Sequence, residues 1–401
     1  MKSLPLVLAA LTAIAAIAAA PAAEPPAMTA GAAILIDPET RQVLYEHNAD
    51  ARMYPASLTK MMTALLVAES GDIERTITIS ARAASVGEST MHLSAGEELK
   101  LRYVLLGLLL NSANDSATAC AEAMDGSVEK FLAHMNARAG QLGMTGTRFT
   151  NPSGLHSDDH YSTARDLATL GIPVMANPEL RQIVRMREAV VPWPGHPQDR
   201  KLVNRNRLLA QWDACDGIKT GYTKQAGRCL AASAYVDGWR LIAVVLKSKD
   251  AWTDARNLLQ WGFGTYYKVA LVARDVTRAR LKVRGGAEDS VDAVAVEDVI
   301  AVIPQQERPA EPTLEEDSVR APVTAGEVIA YVTVQTPAGE IKRVGMKAVS
   351  NVVQSPWAML WSDPRSLWGA AALLAAAVGV LIYAAASEAV GARWLRRSPE
   401  V

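Results

Sequence analysis

Residues 55–66 read PASLTKMMTALL. Leu58, Met61, Met62, Leu65 and Leu66 recur at helical spacing, so a helix is expected over Ser57–Ser70. Ser57 and Lys60 stand three apart and share one face of that helix, within reach of each other. A serine hydroxyl is a poor nucleophile until a base takes its proton. A desolvated lysine of lowered pKa is such a base. Ser57 also lies at the helix start, where the dipole favours negative charge. The plainer reading is a helix cap followed by a solvated lysine. The chain supplies its own example for comparison, Ser127-Val128-Glu129-Lys130.

Two further motifs lie downstream. Ser112-Ala113-Asn114 follows a strongly apolar stretch within a helical region read over Leu101–Met124, and places Ser and Asn where both can point into a cleft. Lys219-Thr220-Gly221 falls on a strand, where Lys219 and Gly221 share one face and the glycine admits close approach of a ligand backbone. S-x-x-K, S-x-N and K-T-G in this order and at these distances form the motif set of penicillin-binding proteins and class A β-lactamases. Ser127 fails the same test, because no S-x-N follows it at the right distance.

Around the motifs run PASLTKMMTALL, NSANDSATACAEAM, FTNPSGLHSDDHYSTARDLA, NRNRLL and DGIKTGYTKQAGRCLAASA. With these segments the chain resembles the low-molecular-mass penicillin-binding proteins that act as serine D-alanyl-D-alanine carboxypeptidases. The likeness runs from about Ala32 to Phe263 and more loosely to Val353. It implies that Ser57 is the acylated nucleophile, Lys60 its base, and Ser112 a proton relay to the leaving D-alanine. It implies that Asn114 holds the substrate amide, that Lys219 and Thr220 bind the terminal carboxylate side beside Gly221, and that the N–H groups of Ser57 and Tyr222 form an oxyanion hole. Arg205 of the N-R-N run matches an arginine near the carboxylate pocket. Gly87 and Ser89 of VGESTMHL match a loop beside the site. Some members of the family carry a further arginine before the helix that ends in W-G-F; Ala251 and Trp252 stand where it is sought here, and no role is assigned there.

Outward from the motifs, Ala32–Ile36 and Gln42–Glu46 read as strands, Gly217–Thr223 and Arg228–Tyr235 as a hairpin, Trp239–Lys247 as a third strand and Asp254–Phe263 as a closing helix. Strands begin and end this part and helices fill its middle, so a mixed α/β, penicillin-binding-protein-like catalytic domain is expected over 28–268. From Val269 the texture turns to alternating, Val-rich patterns, giving a small all-β domain over 269–354 with an acidic, Pro-rich insert at 304–322. Both ends are apolar. Residues 1–23 read as a secretory signal peptide. Leu367–Ala386 is uncharged and long enough to cross a bilayer, with Trp361, Trp368 and Trp394 at its flanks. Arg393, Arg396 and Arg397 then place residues 387–401 in the cytoplasm and the catalytic domain outside a bacterial cell membrane.

The expected partners are peptidoglycan stem peptides ending in D-Ala-D-Ala, β-lactams as covalent inhibitors, and the membrane. A net charge of −1 gives no electrostatic footprint for nucleic acid. No cofactor is expected. His156 and His160 flank Asp158 and Asp159, but no H-E-x-x-H or further ligand cluster supports a metal. The three cysteines, Cys120, Cys215 and Cys229, form no C-x-x-C. A hairpin turn at Gln225–Ala226 sets Cys229 across from Tyr222 and Cys215 across from about Val236, too far apart for a disulfide. Three rival readings remain. A β-lactamase needs a deacylating Glu between S-x-N and K-T-G, where Glu179 and Glu188 occur outside any recognisable loop of that kind. The others are a D,D-endopeptidase acting on cross-links and a non-catalytic wall-binding protein.

Overall fold

A computed structural model describes residues 24–358 and 364–395 of the chain. The signal-peptide reading at 1–23 therefore lies outside the described residues, as do Trp361, Arg396 and Arg397. The chain forms two compact units. The first runs to Lys268 and takes back Val302–Arg308; the second comprises Val269–Ala301 and the chain from Pro309 onward.

The first unit is built on a five-stranded antiparallel sheet. In spatial order its strands are Val43–His47, Ala32–Ile36, Trp239–Ser248, Gly227–Val236 and Cys215–Thr223. Side chains alternate between faces along a strand, and both faces here are covered. Ile34, Ile242 and Val244 pack with Leu58, Met61 and Leu167 in one core, while Leu35, Leu241 and Ala243 pack with Leu258 and Leu259 in another. That is why Ala32–Ile36 is buried at every position and reads as a continuous apolar run. Helix Ala251–Thr265 covers the second face, and it starts earlier than the expected Asp254 because Asp250 accepts the Thr253 N–H as its cap. Val302 belongs to this core too, and the Gln305 N–H donates to the Thr265 carbonyl. The insert expected wholly within the β domain thus begins with a segment of the first unit.

Two local expectations change. The helical region read over Leu101–Met124 is two helices, Leu101–Leu109 and Asn114–Asp125, parted by a turn in which Ser112 has φ of 59°. The hairpin register is also offset. Tyr222 pairs with Arg228, Gly221 with Cys229, and Cys215 with Ala234 across a bulge at Cys215–Gly217. The turn is tighter than expected because the second strand begins at Gly227, whose φ of 69° suits a glycine. All three cysteines are buried free thiols.

The second unit holds a six-stranded sheet in the order Thr313–Leu314, Val328–Gln335, Ile341–Ala348, Ser290–Ala295, Arg278–Arg284 and Ser318–Arg320. Only the last pairing is parallel; the others are antiparallel. Its inward positions, among them Leu281, Val291, Ala293, Val332 and Met346, are buried and alternate with exposed polar ones. The mixed α/β domain and additional β domain read from the sequence are both present. The C-terminal stretch forms a helix, Pro364–Leu395. Among the described residues, however, no helix is long and apolar enough to cross a membrane, so the structure does not carry the transmembrane assignment of 367–386.

Candidate active site

Ser57 sits in a 3-10 turn, Ala56–Thr59, that leads into the α-helix Lys60–Glu69. The expected helix therefore opens as a tighter turn. Ala56 has φ of 48°, uncommon for a residue with a side chain. Gly154 backs this turn, and a Cβ there would lie 1.9 Å from the Ala56 carbonyl oxygen. From the opposite side, a Cβ on Gly221 would lie 3.0 Å from the Ser57 nitrogen. Two glycines thus let the backbone close around the serine from both sides.

Lys60 is fully buried, and its Nζ is 3.0 Å from Ser57 Oγ, 2.8 Å from Asn114 Oδ1 and 2.7 Å from the Ser153 carbonyl. The Asn114 Nδ2 donates to the Gly87 carbonyl at 3.2 Å, which turns Oδ1 toward the lysine. An amide oxygen and a backbone carbonyl can only accept. A neutral amine has two N–H groups for them and one lone pair, and the remaining direction is the serine hydroxyl. Burial, then the Lys219 charge, push the Lys60 pKa well below its ordinary value, against a smaller opposing pull from Asp115 and Glu88. Geometry and electrostatics both favour an amine able to take the Ser57 proton.

The S-x-N turn is held by its neighbours. The Asn111 Nδ2 donates to the Thr90 carbonyl at 2.6 Å, the Ser89 Oγ to the Asn111 carbonyl at 2.9 Å, and the Asn114 N–H to the Ser89 carbonyl at 2.6 Å. Sequence reasoning passed over Asp115. Its buried carboxylate accepts the N–H groups of Met91, Leu93 and Ser116, which fixes the 87–93 loop against the turn. A lone Asp after S-x-N gives no local signal of that reach. Asn151 and Ser153, which shape the loop that meets Lys60, were likewise legible only as turn residues; Asn151 Oδ1 accepts the Gly154 N–H at 2.7 Å.

On the K-T-G strand, Lys219 is buried and donates to the Thr220 carbonyl at 3.0 Å. Burial, then Arg205, lower its pKa to about 7. Arg205 is presented by its two neighbours. The Asn204 Nδ2 donates to the carbonyls of Val184 and Met186, and the Asn206 Nδ2 to that of Gly217. Ser57, Ser89, Ser112, Asn114, Thr220 and Gly221 line one cleft of about 770 Å³. Arg205 and Tyr222 line it as well, while Lys60 and Lys219 are buried and do not. The structure thus gathers the sequence-predicted site residues around one cleft. Ala251 and Trp252 also line it, with the Arg207 guanidinium 5.1 Å from the Trp252 ring centre.

The competing features lie elsewhere or do other work. Ser127 caps the helix Val128–Gln141, its Oγ accepting the Lys130 N–H at 3.2 Å. Glu188 is paired with Lys201, and neither it nor Glu179 lines the cleft. His160 bonds Thr59 Oγ1 at 2.7 Å and accepts the Thr150 N–H, while His156 stands edge-on to Tyr54. Burial lowers the His160 pKa to about 4, and among the described residues no group of His, Cys, Asp and Glu is placed to hold a metal.

Comparison with known proteins then decides the family. The family model for D-alanyl-D-alanine carboxypeptidase matches residues 19–250, and that for the penicillin-binding protein 5 C-terminal domain matches 266–354. The chain belongs to the D-alanyl-D-alanine carboxypeptidase family. It is a serine-type peptidase of that family. It is 34% identical to the D-alanyl-D-alanine carboxypeptidase DacF of Bacillus subtilis over 74% of this chain and 79% of the relative. It is 33% identical to DacC of Escherichia coli over 84% and 88%. Among solved structures, penicillin binding protein 5 of Haemophilus influenzae superposes with a TM-score of 0.67 at 30% identity, covering 82% of this chain and 99% of that one.

Proposed function

We propose that this peptidase removes the terminal D-alanine from peptidoglycan stem peptides through an acyl-enzyme on Ser57. The observation that carries the residue assignment is the Lys60 amine, buried, facing the Ser57 hydroxyl at 3.0 Å, with its other two contacts both acceptors. Lys60 takes the Ser57 proton, and Ser57 attacks the carbonyl of the D-Ala-D-Ala bond. The N–H groups of Ser57 and Tyr222 stabilise the oxyanion. Ser112 passes a proton to the leaving amine, and water then releases the shortened stem. Asn114 holds the substrate amide; Lys219, Thr220 and Arg205 draw its terminal carboxylate. A β-lactam follows the same acylation, but its leaving group stays tethered and the adduct persists.

The catalytic unit acts outside the cytoplasm, where this family's substrate lies. The membrane anchor at 367–386 is proposed on the sequence, with the exposed Leu373, Leu374, Leu381 and Ile382 of the C-terminal helix in support. Intact-mass spectrometry after benzylpenicillin tests the mechanism: one adduct is expected, mapped to Ser57. Ser57→Ala should abolish the adduct and D-alanine release, and Ser127→Ala should change neither. An adduct elsewhere, or an active Ser57→Ala, would falsify the assignment.

A further inference from the structure

The cleft has two electrical sides. Arg205, Arg207 and Arg228 line it, and Glu88 is the one carboxylate among its lining residues. Arg207 rests on Trp252 and the Arg228 Nη1 donates to the Lys249 carbonyl. Glu88 is exposed, and among the described residues no ion pair or side-chain hydrogen bond engages its carboxylate. Its backbone is nonetheless pinned on both sides to the S-x-N turn. The Gly87 carbonyl accepts Asn114 Nδ2 and the Ser89 carbonyl accepts the Asn114 N–H. Between these bonds Glu88 takes φ of 65°, a conformation that a side-chain-bearing residue adopts only when its surroundings impose it. The acid is therefore held at the rim by a built loop.

The two signs are also separated along the reaction axis. Glu88 is tied through its two chain neighbours to Asn114, whereas Arg205 stands next to Asn206, which bonds the Gly217 carbonyl on the K-T-G strand. Glu88 thus belongs to the Asn114 side of the cleft and Arg205 to the K-T-G side that draws the substrate carboxylate. A stem peptide with its carboxylate on the K-T-G side and its scissile carbonyl at Ser57 runs its preceding residues toward the other side. The side chain preceding the D-Ala-D-Ala pair is then carried to the Asn114 side of the cleft, where Glu88 stands.

We propose that Glu88 is a specificity residue that pairs with a free ammonium on the acyl side of the substrate, the side-chain amine of a diamino residue preceding D-Ala-D-Ala. The proposal rests on the carboxypeptidase reading above. It is tested on the full chain with two peptides, Nα-acetyl-L-Lys-D-Ala-D-Ala with its side-chain amine free and the same peptide acetylated on that amine. The wild type should favour the free amine in kcat/KM by roughly threefold to fivefold, the range open to an exposed ion pair. Glu88→Gln should lose that preference while benzylpenicillin still labels Ser57. Equal loss on both peptides, or a wild type without preference, would overturn the proposal. Penicillin labelling of a wild type that releases D-alanine from neither peptide would instead overturn the carboxypeptidase reading, and this proposal with it.

Discussion

At the scale of single residues, the proposed mechanism turns on the protonation of two buried lysines. In it Lys60 acts only while neutral, and burial, then the Lys219 charge, push its pKa down. The sign follows directly. Removing that cation raises the Lys60 pKa, so at a given pH less of the amine is free to act as base. Lys219→Gln should therefore move the acid limb of benzylpenicillin acylation to higher pH, apart from any loss of amplitude caused by weaker carboxylate binding. A pH series of acylation rate constants checks this; a limb that stays put or moves down would remove Lys60 from the role of base. The sequence offered Lys60 and Lys219 through their motifs. It offered nothing about Asp115 or Ser153, because what they do depends on partners far along the chain. Lys60 meets the Ser153 carbonyl across a separation of 93 residues.

At the scale of elements, the site is a junction of four segments, and glycine permits the contact. The 3-10 turn carrying Ser57 is wedged between the K-T-G strand and the loop at Gly154. Gly154 has φ of +84°, and an added methyl would drive into the Ala56 carbonyl. Gly154→Ala should cost about 3 kcal/mol or more, combining backbone strain with overpacking. Urea unfolding measures the cost, and acylation should fall further than stability explains, since the Ser57 turn itself must shift. A neutral outcome would mean that the loop relaxes without moving the serine. The neighbouring S-x-N turn teaches the same lesson about reading elements. Leu101–Met124 has helical composition throughout, yet the helix breaks at Leu110–Ala113. The break is stabilised by Asn111, Ser89 and Asp115 through contacts with the 87–93 loop, and periodicity within the segment has no access to those contacts.

At the scale of the whole molecule, the apolar C-terminal stretch follows the last β strand in the chain, and the described residues that line the cleft all come from the first unit. A chain ended at Gln354 should therefore keep full benzylpenicillin acylation and stay in the supernatant after high-speed sedimentation with membranes, while the full chain partitions into the pellet. A full chain that remained soluble would end the anchor proposal. The sequence by itself determined the strands Ala32–Ile36 and Trp239–Lys247, the change to a β domain from Val269, and the residue types of the proposed chemistry. Those are carried by local periodicity and by spacing along the chain, which any single stretch displays. Tertiary structure alone decided the hairpin register, the return of Val302–Arg308 to the first unit, the orientation of Asn114 and the burial that favours a neutral Lys60. Each of these depends on which distant groups surround an atom, and desolvation and hydrogen-bond partners exist only once the segments have packed together.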